Sequence, residues 1–128
     1  MQKIFFILGA LLAGMAVAAG AYGAHAGAEY LSAEAVITFG KAVRYQMHHA
    51  LALFVVVWAL SQWPDQVRLL NYAGWFFVAG IVFFSFGLYW IALGGVDLGY
   101  ITPVGGTAFM GGWILLAFSG WREQRSGK

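Results

Sequence analysis

The sequence predicts an all-α membrane protein, four transmembrane helices in an up-and-down bundle, with an amphipathic helical segment leading into the second span. Three observations carry that prediction. The 128 residues are 62% hydrophobic and 9% charged, whereas a soluble domain carries about 25% charged residues. The few charges divide the chain into uncharged windows, and four of these are long enough to cross about 30 Å of hydrocarbon as helix, which takes roughly 20 residues. The windows are continuous apolar runs, the opposite of the short alternating segments of a membrane β-barrel. A chain this short forms a single domain.

The spans fall at about residues 4–24, 45–63, 70–93 and 103–121. The first follows Lys3 directly. Lys3, the apolar run and the small residues Ala19-Gly20-Ala21 also have the order of a cleavable signal peptide, so that alternative stands beside the span. From Ser32 onward, Val36, Phe39, Val43 and Met47 recur at spacings of three and four, opposite Lys41, Arg44 and His48. This is the amphipathic lead-in. The second span lies between Arg44 and Asp65, and the third within residues 69–96. The fourth lies between Asp97 and Arg122, with Thr102 as N-cap and Pro103 in the first turn, where a missing N–H costs nothing. The connections at residues 62–71 and 94–102 are short, so the helices they join are antiparallel neighbours. Lys3, Arg68, Arg122, Arg125 and Lys128 lie on one side, against Lys41 and Arg44 on the other. That imbalance predicts cytoplasmic termini.

Much chemistry is excluded by composition. With no cysteine, there is no disulfide framework, thiolate metal site or cysteine nucleophile. Arg122, Arg125 and Lys128 are too small a basic cluster for nucleic acid. The sequence has no phosphate-binding glycine loop, no H-E-x-x-H and no nucleophile elbow. No span carries Asp, Glu, Lys or Arg at its centre, where pumps and transporters place them. The expectation is a protein that is not an enzyme, with no catalytic residue, metal or cofactor. The 18 glycines point instead to close helix packing, because helices in lipid associate through small residues. Gly9 and Gly14 in the first span, Gly80, Gly87 and Gly94 in the third, and Gly105 and Gly106 in the fourth are the packing candidates. They serve either the bundle itself or an interface with a partner or a second copy. Trp58, Trp63, Tyr72, Trp75 and Trp121 fit interfacial belts.

The remaining polar residues are few. His48 and His49 point about 100° apart on a helix, so they do not share a metal. His49 lies on the face of Tyr45 and Gln46; each histidine reads as a hydrogen-bonded structural residue, with metal, haem or proton transfer as the alternative. Four segments carry a family resemblance: Gly20-Ala21-Tyr22-Gly23-Ala24-His25, Tyr45-Gln46-x-x-His49-Ala50-Leu51, Phe84-Ser85-Phe86-Gly87-Leu88-Tyr89, and Ile101-Thr102-Pro103-Val104-Gly105-Gly106 with Gly112-Trp113. In these the chain resembles the DUF423 family of small membrane proteins over nearly its whole length. The resemblance implies a four-helix protein of the bacterial inner membrane and brings no established activity.

With the termini inside, the four segments collect at the outer end. His25, Tyr45, Gln46, His49, Tyr89 and Thr102 are therefore expected to form one polar cluster just inside the outer surface, either as a structural network or as a small site. The functional expectation is a non-catalytic accessory or structural subunit, with lipid and other membrane proteins or itself as partners. An oligomeric carrier or channel, and a histidine-based metal-, haem- or quinone-binding protein, are the alternatives.

Overall fold

The computed structural model describes residues 1–97 and 99–126; Lys128, one of the cations counted for orientation, lies outside them. Among the described residues, four helical stretches are long and apolar enough to cross a membrane. The first, α1 (Gln2–Ala24), ends at His25, whose backbone (φ −116°, ψ −93°) breaks it from the one-turn helix α2 (Ala26–Tyr30). Ser32 then caps the start of α3 (Ala33–Gln62), its hydroxyl accepting from the Ala35 N–H at 3.2 Å. That bond satisfies one of the donors a helix start leaves open.

At 30 residues, α3 is about 45 Å long by the 1.5 Å rise per residue. The amphipathic lead-in and the second span are thus one unbroken helix. Phe39 is buried on its inner face, while Lys41, Arg44 and His48 are exposed. Pro64 ends it, since proline disfavours helical backbone in the residue before it.

The third span, Pro64–Ala92, is not uniform. A 3₁₀ turn (Pro64–Gln66) leads into α4 (Val67–Gly80), a π-helical turn (Ile81–Ser85) and then α5 (Phe86–Ala92). Gly94 terminates it: at φ +91° it takes the left-handed backbone that side chains resist. Its N–H reaches Ile91 O at 3.1 Å, and the Gly95 N–H reaches Trp90 O at 2.8 Å, the paired bonds of a Schellman stop. The fourth span is α6 (Ile101–Ser126). Thr102 lies inside that helix rather than capping it, because the chain already turns helical at Ile101, and Val104 N–H bonds Tyr100 O at 3.0 Å. Pro103 remains harmless, since the first four N–H groups of a helix have no internal acceptor.

α1 lies along α3, and the third span packs against both α3 and α6. The core holds Phe5, Leu53, Val56, Leu70, Phe77 and Ile81. The glycines do pack, but chiefly as sockets for aromatic rings. Gly80 receives Phe109, Gly112 receives Phe77, and Gly74 receives Phe5. Gly9 and Gly105 are true backbone approaches between spans. A Cβ at Gly9 would stand 3.1 Å from Ala50 O, and one at Gly105 would stand 2.8 Å from the Phe83 carbonyl carbon. Gly87 faces the Thr102 hydroxyl, its Cβ position 3.3 Å away, and Gly106 meets Phe84 only at ordinary contact. Gly14 and Gly94 have nothing within 4 Å. They are not packing residues within this chain: Gly94 is a helix stop, and Gly14 faces away from α3.

Candidate functional site

Mid-depth is where the polar side chains meet. Gln46, 1% exposed, donates from Nε2 to Leu12 O at 2.8 Å, and its Oε1 accepts from the Tyr89 hydroxyl at 2.8 Å. One side chain thereby ties α3 to α1 and to the third span. Its amide has both ends satisfied, as a buried polar group requires.

His49 lies one turn further along α3 and is 5% exposed. Its Nδ1 is 2.7 Å from Tyr45 O, and its Nε2 is 3.1 Å from Trp113 Nε1. An indole N–H only donates, so Nε2 must be the acceptor and Nδ1 must carry the proton that reaches the carbonyl. The ring is held neutral in one tautomer, with both nitrogens engaged. Its face stacks on Phe109, centroids 3.5 Å apart and 9° from parallel, while Phe77 approaches at 5.7 Å. The helices around it set its depth. Leu12, Phe77 and Trp113 each lie near the middle of their spans, so this layer crosses the centre of the bundle and not its outer rim.

The six residues expected as one cluster therefore divide. Gln46 joins Tyr89 directly, and Tyr45 stands beside His49, ring centroids 6.1 Å apart. His25 does not reach them. Gly23 is level with Phe39, and Phe39 precedes His49 by ten residues, about 15 Å of helix. His25 is exposed at the break between α1 and α2. Thr102 lies against Gly87 near the loop end, away from His49. Sharing an end of the bundle in sequence did not mean sharing a depth, because α3 carries its polar face several turns inward.

Sequence reasoning missed Trp113 as the partner of His49. Gly112-Trp113 was legible only as part of a motif, and nothing in its spacing pointed to α3. The buried Ser85 was missed as well. Its hydroxyl, 0% exposed, sits at the end of the π turn with no hydrogen-bond partner among the described residues.

A family model described as "Protein of unknown function (DUF423)" matches residues 19–106, more than half of the chain and all six of the residues just placed. The chain belongs to the DUF423 family. Its similarity to bacterial relatives extends beyond the matched stretch. A UPF0382 membrane protein of Staphylococcus epidermidis is 46% identical over 119 residues, covering 92% of this chain and 95% of the relative. The UPF0382 membrane protein YwdK of Bacillus subtilis is 41% identical over 116 residues, covering 90% and 94%. No solved structure matches. The DUF423 chain described here is thus a membrane protein whose fold places Gln46 and His49 at its centre.

Two clefts flank this DUF423 core. One, of about 460 Å³, lies between α3 and α6, with Tyr45, His49, Thr107 and Trp113 among its walls. The other, of about 310 Å³, lies near the loop end and is lined by Phe86, Trp90, Asp97 and Thr102.

Proposed function

We propose that this DUF423 protein is a non-catalytic subunit of the bacterial inner membrane, its termini cytoplasmic, that packs against other membrane proteins or further copies of itself. One observation carries the reading. α1 uses the face of Phe5, Gly9 and Ala16 against the bundle, and leaves a second small-residue ridge, Ala10, Gly14, Ala18 and Ala21, exposed on the outside. Small residues at such spacings let helices approach closely, which is how helices associate where hydrophobic burial gives no drive. A helix that only had to fill lipid would carry larger side chains there.

The polar layer supports the same reading. Gln46 spends both ends of its amide on helix-to-helix bonds, and His49 spends both ring nitrogens on Tyr45 and Trp113. Ligation of a metal or haem by His49 would first have to break one of those bonds. The side chains at depth thus serve cohesion. Affinity purification in mild detergent from native membrane tests the role: the same membrane protein should co-purify reproducibly, and a Gly14→Leu variant should lose it. A strictly monomeric particle without a reproducible partner would overturn the proposal.

A further inference from the structure

The cleft between α3 and α6 has features that bundle cohesion does not use. These two helices meet through side chains, while the third span packs against each of them. The gap between them is bridged at depth by His49 with Trp113 and Phe109. Toward the loop end it stays open, walled by the rings of Tyr45, Phe84 and Phe109, with Gly106 contributing no side chain. Its volume of about 460 Å³ lies within the usual range for small-molecule sites, roughly 300–1,000 Å³.

Tyr45 lines this cleft with a group that the fold leaves unexplained. Its carbonyl accepts from His49, but its hydroxyl has no partner among the described residues. The Tyr45 ring lies 4.6 Å from Phe84 and 6.1 Å from Phe109. Phe84 stands eight residues before the end of α5, and Phe109 stands eight after the start of α6. Both place the ring about 12 Å below the loop end of those helices at 1.5 Å per residue. Tyr45 is 40% exposed, on a helix that the bilayer surrounds, and a polar group left unpaired against hydrocarbon is costly. Thr107 also lines the cleft, but its hydroxyl proton is spent on Val104 O at 2.8 Å, so the Tyr45 hydroxyl is the donor open to an incoming acceptor.

We infer that this cleft is a lateral binding site for a lipid-soluble quinone-type molecule, whose ring lies against the aromatic walls and whose carbonyl oxygen accepts from the Tyr45 hydroxyl. The apolar tail leaves sideways into the bilayer. A flat ring suits walls made of Tyr45, Phe84 and Phe109, since aromatic groups gain from stacked and edge contacts. A phospholipid ester also offers a carbonyl. Its charged headgroup, however, holds that ester at the interface, above the Tyr45 ring, whereas an uncharged quinone head sinks freely. This site is independent of the α1 ridge, so either can fail without the other.

The test uses the full-length protein in nanodiscs of defined phospholipid, titrated with short-tailed benzoquinone and naphthoquinone while tryptophan fluorescence is followed. Trp113 borders the cleft, and quinone rings quench indole. Saturable quenching is expected. Tyr45→Phe, which keeps the ring and removes only the unpartnered hydroxyl, should weaken binding by roughly five- to tenfold, the effect of one hydrogen bond. Gly106→Leu should abolish saturation, because it fills the cleft from a position where a Cβ meets only ordinary contact. Tyr45→Phe also guards against misfolding as an explanation, since its unfolding temperature should equal that of the unmodified protein. Quenching that is linear in quinone and equal in all three proteins would overturn the proposal. So would native mass spectrometry showing a retained phospholipid that quinone does not displace, which would assign the carbonyl to an ester.

Discussion

Substitution of Gly105 by alanine is the sharpest probe of how the bundle is held. A Cβ there would stand 2.7 Å from Phe84 Cβ and 2.8 Å from the Phe83 carbonyl carbon, and would meet the Phe84 backbone nitrogen as well. Carbon atoms rest at about 3.5–4.0 Å, so α6 would have to retreat by nearly 1 Å, or the third span would have to yield. The atoms in the way are largely main chain and cannot rotate aside. Overpacking of this kind costs about 1–3 kcal/mol, and rigid neighbours put it toward the upper end. Alanine gains at most about 1 kcal/mol over glycine in helix propensity, so the net remains destabilising by about 2 kcal/mol. Gly14→Ala is the control, because nothing lies within 4 Å of its Cβ position. Thermal unfolding in mild detergent should place Gly105→Ala several degrees below the parent and leave Gly14→Ala unchanged or higher. Equal midpoints for parent and Gly105→Ala would refute close α6 packing on the π turn.

Four further outcomes follow from the same geometry. Gln46→Leu orphans the Tyr89 hydroxyl and should cost about 1–3 kcal/mol; adding Tyr89→Phe should recover part of it, and a double-mutant cycle with no coupling would deny the bond. His49 should resist diethyl pyrocarbonate while the exposed His25 and His48 react, and Trp113→Phe should speed modification of His49; a fast His49 in the parent would contradict the tautomer assigned to it. Gly87→Leu should unfold at a lower temperature than Phe83→Leu, since Gly87 faces Thr102 whereas Phe83 is 42% exposed; equal midpoints would place Gly87 against lipid. A reporter fused after Lys128 should behave as cytoplasmic and one inserted near Gly27 as exported, with the reverse overturning the charge rule.

The spans were legible because hydrocarbon demands an uncharged run of fixed length, and little else produces one. Tyr45, Gln46 and His49 were legible as one face of α3 for a comparable reason, since helical spacing is local. Their partners were not. Trp113 and Leu12 reach α3 only through tertiary packing, and a Trp in an apolar helix looks the same whether it anchors to headgroups or bonds a histidine. His25 was assigned to the cluster because it lies toward the same end in sequence, but depth depends on which turns of α1 and α3 are level. Gly23 against Phe39 fixes that register, and the sequence carries no sign of it. The glycines were read as helix-to-helix contacts; Gly9 and Gly105 approach a neighbouring backbone, whereas Gly80 accepts the Phe109 ring and Gly14 meets nothing. A glycine records that space is needed, not what fills it. The π turn at Ile81–Ser85 leaves no trace in composition, since one extra residue in an apolar helix breaks no pattern.

The proposed role rests on the unpartnered ridge of α1, and a photoreactive residue at position 14 tests it most directly in native membrane. A comparable residue at Val82, exposed on the third span, serves as the comparison. The ridge predicts that position 14 crosslinks to one defined membrane protein or to a second copy of this chain, and that Val82 captures mainly lipid. Lipid adducts alone at both positions would contradict it.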